Sequence, residues 1–111
     1  MEKSYLFVPA SKPERIAKAL QTKADAIIID LEDAVALAQK DSVRRSLTKA
    51  IPKFQHVEKK IILRINDRTT PFWKADVQFA ARYEFLSVML PKANKAEDVK
   101  VLAKHLREKQ E

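Results

Sequence analysis

The sequence predicts an α/β fold of four consecutive βα units, half of a (β/α)8 TIM barrel. Three observations carry this expectation. Short apolar runs alternate with stretches of helical periodicity. The starts of successive apolar runs lie roughly 22 to 35 residues apart, the spacing that right-handed parallel crossovers require. Polar residues stand where three of the runs end, at Asp30-Leu31-Glu32-Asp33, Arg64-Ile65-Asn66 and Met89-Leu90-Pro91-Lys92. In alternating β/α proteins such strand ends converge on one rim, where ligands are handled.

The first unit opens with Tyr5-Leu6-Phe7-Val8, read as a short buried strand that Pro9 halts. Ser11 with Glu14 three residues on is a capping box, and Ile16, Ala17 and Leu20 form the inward stripe of the helix it starts. Ala26 to Leu31, nearly unbroken around Ile27-Ile28-Ile29, reads as a parallel strand covered on both faces. The next helix, from about Gln39 to Ile51, is expected to bury Val43, Leu47 and Ile51 and to turn Lys40, Arg44, Arg45 and Lys49 to solvent, with Pro52 closing it. Ile61 to Ile65 is the third strand, and Thr70-Pro71 is read as the cap of a helix carrying Trp73, Val77 and Ala81. Phe85 to Leu90 is the fourth strand, and Asn94 with Glu97 opens a last helix with Val99, Leu102, Ala103 and Leu106 on one face. A full barrel takes roughly 250 residues. The 111 residues are therefore read as one truncated barrel domain, spanning 1–111.

Composition narrows the chemistry. A hydrophobic content of 46% suffices for a modest core. No run approaches the roughly 18 apolar residues of a membrane span, and Met1-Glu2-Lys3-Ser4 has no signal-peptide pattern, so a cytoplasmic protein with no membrane partner is expected. Without cysteine there is no disulfide, thiolate nucleophile or thiolate metal site, and His56 and His105 lack ligand spacing. A net charge of +7 favours anionic partners, although no nucleic-acid-binding signature accompanies it and a solvated basic surface is the preferred reading. There is no glycine at all, where about eight are expected at the usual ~7%. Phosphate-cradling glycine loops are thereby excluded.

Alternation on the third strand places Ile62, Arg64 and Asn66 on one face, with Arg64 near the exit. A guanidinium there can grip a carboxylate through two parallel hydrogen bonds, which suits a small dicarboxylic acid; pairing with Asp30 or Glu32 of the neighbouring strand is an equal alternative. Asp30, Glu32 and Asp33 crowd three carboxylates into one exit. Mg2+ or proton-relay chemistry is open to them, but capping and hydrogen bonding to the next helix is the preferred reading. Lys12 and Lys18 flank the first helix, where phosphate binding competes with simple solvation. Lys92 is read as an anion neutraliser or an exposed loop residue, and Phe72 with Trp73 as core.

Assembled in order, Ser4-Tyr5-Leu6-Phe7-Val8-Pro9, Lys12-Pro13, Ala24-Asp25-Ala26, Asp30-Leu31-Glu32-Asp33-Ala34-Val35-Ala36, Arg64-Ile65-Asn66, Thr70-Pro71-Phe72-Trp73 and Met89-Leu90-Pro91-Lys92 resemble the CoA-ester lyases that include the citrate lyase β subunit, malyl-CoA lyase and citramalyl-CoA lyase. The resemblance runs along nearly the whole chain. It implies a (β/α)8 barrel in which Mg2+ assists cleavage or formation of a carbon–carbon bond between a CoA thioester and a 2-oxo acid. It further implies that Arg64 binds the oxo-acid carboxylate, that Phe7, Lys12 and Lys18 line the CoA site, and that Glu32 and Asp33 support the metal's hydrogen-bond shell. Asp30 joins them in the polar network.

The chain also departs from the pattern. The family's direct Mg2+ ligands, a Glu and an Asp, come from strands beyond the fourth, so this chain is expected to hold no complete metal centre or catalytic set. Ala10, Lys23 and the segment Asp67-Arg68-Thr69 stand where the family commonly uses glycine. Two outcomes are expected from this: a truncated citrate lyase β-like protein inactive alone, or a non-catalytic acid- or CoA-binding or assembly module. Either would work as a homo-oligomer or with a complementing chain.

Overall fold

A computed structural model describes residues 4–32 and 35–91. Four strands, β1 (Tyr5–Pro9), β2 (Ala26–Asp30), β3 (Lys60–Arg64) and β4 (Leu86–Met89), alternate with helices α1 (Arg15–Leu20), α2 (Lys40–Ala50) and α3 (Trp73–Ala81). Short 3-10 turns at Leu37–Gln39 and Ile51–Phe54 flank α2. The strands form one parallel sheet in the order β1-β2-β3-β4, each beside its sequence neighbour, as three successive crossovers dictate. The expected Asn94–Glu97 helix, Lys92 and Asp33 lie outside the described residues.

Register sorts the strand residues into two faces. Leu6 and Val8, Ile27 and Ile29, Ile61 and Leu63, and Leu86 and Val88 share one; Tyr5 and Phe7, Ile28 and Asp30, Ile62 and Arg64, and Ser87 and Met89 share the other. On the first face Ile27, Ile29, Ile61 and Leu63 join Ile16, Leu47, Ile51, Trp73 and Val77 in the main core. β2 is buried along its whole length, because it is central and covered on both sides.

Several expectations change at the level of residues. β1 is not a buried strand: Tyr5, Leu6 and Phe7 are 50%, 37% and 50% exposed, since β1 ends the described sheet. Val88 lies opposite Leu63 on the helix-covered face, so Ser87 and Met89 continue the row of Phe7, Ile28 and Ile62. Ile28 and Ile62 are buried, in a small second cluster with Ala26 and Met89. The caps expected from Ser11 and Thr70 do not form. Lys12 N–H donates to the Pro9 carbonyl and Arg15 N–H to that of Lys12, so the chain turns twice before α1, whose first turn has no side-chain cap. Thr70 turns back on the Asp67 carbonyl, which accepts both its N–H and its hydroxyl, and α3 starts at Trp73 without it. Pro52 does not close the second helical stretch but sits inside the 3-10 turn that prolongs it.

Candidate functional site

Parallel register carries the ends of all four strands into one row: Pro9 beside Asp30, Asp30 beside Arg64, Arg64 beside Met89. Asp30 and Arg64 therefore meet side by side at the centre of the rim. Arg64 Nε and Nη2 donate to Asp30 Oδ1 and Oδ2 at 3.0 and 2.6 Å, the two-pronged geometry of a guanidinium on a carboxylate. Glu32 Oε1 lies 3.7 Å from Arg64 Nε. Asp30 Oδ1 also accepts the Glu32 N–H at 2.8 Å, closing a turn just past β2. Asp30 is buried, whereas the Arg64 side chain keeps 20% exposure, and the Phe7 ring sits 5.0 Å from the guanidinium carbon. A buried carboxylate thus orients a cation that still reaches the surface.

A second polar cluster lies beneath the rim, and its residues contradict the sequence reading of Lys40. That lysine is 4% exposed rather than solvated. Its ammonium donates to the carbonyls of Leu31 and Glu32, both at 2.8 Å, and to Asn66 Oδ1 at 2.5 Å, because the two carbonyls just past β2 face the first residue of α2. Asn66 Nδ2 donates to Asp76 Oδ2 at 2.6 Å and its N–H to the same oxygen at 2.9 Å; Arg44 Nη1 donates to Asp76 Oδ1 at 2.7 Å. Arg44 also pairs with Asp41, so this second cation expected in solvent is tied down as well. Asp76 was legible only as an anomaly, a carboxylate between Trp73 and Val77 on the apolar face of α3.

The remaining candidates separate. Phe7 and Lys18 line a depression of about 290 Å3 beside β1 with Arg15 and Thr22. Lys12 stands exposed in the turn after β1 and does not line it. Trp73 joins the core, whereas Phe72 stays half-buried outside it, with its ring 5.5 Å from Lys40 Nζ. Among the described residues no three carboxylate, imidazole or thiol side chains converge as a metal site. Asp30 already directs both oxygens to Arg64. These residues do not fit direct coordination of Mg2+. No helix among the described residues is long and apolar enough to cross a membrane.

Comparison with known proteins agrees with this architecture. Residues 3–111 match the model of the HpcH/HpaI aldolase/citrate lyase family. A citrate lyase subunit beta of Leuconostoc mesenteroides subsp. cremoris is 34% identical over 96 residues, which are 86% of this chain and 32% of that protein. A citrate lyase subunit beta-like protein of Mycobacterium tuberculosis is 42% identical over 101 residues, 89% of this chain and 34% of that one. The crystal structure of CitE from Mycobacterium tuberculosis in complex with magnesium, acetoacetate and coenzyme A superposes with a TM-score of 0.76 at 39% identity, covering 91% of this chain and 36% of that one. The chain spans about a third of the length of these curated relatives.

Proposed function

We propose, from the premise that this chain belongs to the HpcH/HpaI aldolase/citrate lyase family, that it provides the carboxylate-reading rim of a citrate lyase β-like CoA-ester lyase. The observation that carries the proposal is Arg64, partly exposed at the exit of an inner strand and aimed by the buried Asp30. Asp30 takes two of the five guanidinium N–H groups in a fixed direction. That fixes the plane in which a 2-oxo acid's carboxylate is met, and the orientation is set before the ligand arrives. Phe7, Lys18 and Arg15 offer an aromatic ring and two cations, which suit the base and phosphates of a CoA ester. Lys12 adds charge nearby.

The family reaction read onto this rim is Mg2+-assisted cleavage of citryl-CoA or a related acyl-CoA into acetyl-CoA and a 2-oxo acid. The described residues contribute binding and orientation to that chemistry, and the chain assayed by itself is read as inactive. A second reading, an acid- or CoA-binding assembly module, is favoured by the exposed edge at Tyr5, Leu6 and Phe7.

Calorimetric titration of the 111-residue chain with oxaloacetate tests the proposal. Arg64→Ala should weaken binding about tenfold to a hundredfold, since a hydrogen bond to a charged group is worth about 1.5–3 kcal/mol. Binding that is equal in both proteins, or that any polyanion reproduces and salt abolishes, would instead reveal nonspecific attraction to the basic surface.

A further inference from the structure

The pair at the rim is held by two different strand exits, and one buried side chain ties those exits together. Lys40 Nζ reaches the Leu31 and Glu32 carbonyls, which follow Asp30, and Asn66 Oδ1, two residues after Arg64. We propose that Lys40 is a positioning residue: its ammonium clamps the exits of β2 and β3 to the start of α2 and so sets the angle at which Asp30 presents Arg64 to a carboxylate.

The local geometry gives the clamp a definite mechanical effect. The Leu31 and Glu32 carbonyls bracket the backbone just after Asp30, whose Oδ1 accepts the Glu32 N–H at 2.8 Å. Fixing both carbonyls fixes that turn, and the turn fixes the carboxylate that Arg64 grips. On the β3 side Asn66 Nδ2 donates to the Leu31 carbonyl at 3.2 Å, so Lys40 and Asn66 bind the same acceptor from two directions. The Leu31 N–H donates in turn to the Arg64 carbonyl at 2.9 Å. Burying an ammonium costs desolvation that its hydrogen bonds only offset, so the gain is better sought in geometry than in stability. This inference rests on the reading of Arg64 as the carboxylate-binding group and adds the residue that holds its support in place.

Amide hydrogen exchange on the whole chain separates positioning from plain stabilisation. In Lys40→Met, protection of the Leu31 and Glu32 N–H groups should fall about tenfold or more while the ladder amides of residues 27–29 and 61–63 keep theirs, because only the exits lose a tether. Oxaloacetate affinity should fall by up to the same factor, because Arg64 then meets the carboxylate at a less favourable angle. A uniform loss across both strands would show a general stabiliser and overturn the proposal, as would unchanged protection at Glu32. If Lys40→Met does not fold, Lys40→Arg, which keeps the charge but moves the donors, is read by the same two sets of amides with the same outcomes. Should oxaloacetate fail to bind even the unaltered chain, the reading of Arg64 fails while the exchange data still decide the role of Lys40.

Discussion

Asp76→Ala is expected to cost about 3–5 kcal/mol of folding stability, the range for removing one partner of a buried ion pair. Asp76 is fully buried in α3. Its two oxygens accept the Asn66 N–H, the Asn66 amide and the Arg44 guanidinium. Alanine would leave all three donors facing a void, and Arg44, with its side chain 12% exposed, would keep only the exposed Asp41 as counter-charge. Small domains hold only about 5–15 kcal/mol in total, so the variant should be close to unfolding at room temperature. Urea denaturation checks this, with Gln78→Ala, an exposed change on the same helix, expected within about 0.5 kcal/mol of the parent. Similar midpoints for the two variants would mean that the cluster beneath the rim contributes little.

The second large effect concerns assembly. β1 ends the described sheet and exposes Tyr5, Leu6 and Phe7, a row of backbone donors and acceptors flanked by apolar side chains that invites another strand. Half of two aromatic side chains plus part of a leucine is roughly 250 Å2 per copy, worth about 6 kcal/mol at ~25 cal/mol per Å2 before association costs. Self-association through this edge is therefore expected at micromolar concentration. Sedimentation across a dilution series should show dimers or larger species that Leu6→Glu shifts to monomer, whereas a monomer at every concentration would refute it. Ile28 and Ile62, which share a face with Phe7, are already buried and add little exposed area to this edge.

The order of elements was readable because each strand is a compact apolar run and each crossover has room for a helix. Ile27-Ile28-Ile29 and Ile61-Ile62-Leu63 carry that signal without ambiguity. What sequence pattern could not supply was the path of the backbone between elements. Ser11 and Thr70 have the right chemistry for caps, yet the Pro9–Lys12 and Asp67–Thr70 turns use those residues before either helix begins. Lys40 looked solvated because a helical wheel counts only its own helix, while its acceptors come from residues 31, 32 and 66. For Arg64 the sequence left carboxylate binding and pairing with Asp30 or Glu32 as rivals. The geometry shows the pairing, and the proposal makes it the support for binding.

The claim that Arg64 reads a carboxylate can be observed at the atom itself. Nitrogen-15 NMR of the guanidinium, assigned by the loss of its signal in Arg64→Lys, should show the Arg64 Nε–H resonance protected by Asp30 in the unliganded chain and shifted on saturation with oxaloacetate. Asp30→Asn should abolish both the protection and the shift, because the neutral amide no longer aims the cation. An Arg64 signal unmoved by oxaloacetate, in a chain that calorimetry shows to bind it, would contradict the account and place the acid elsewhere.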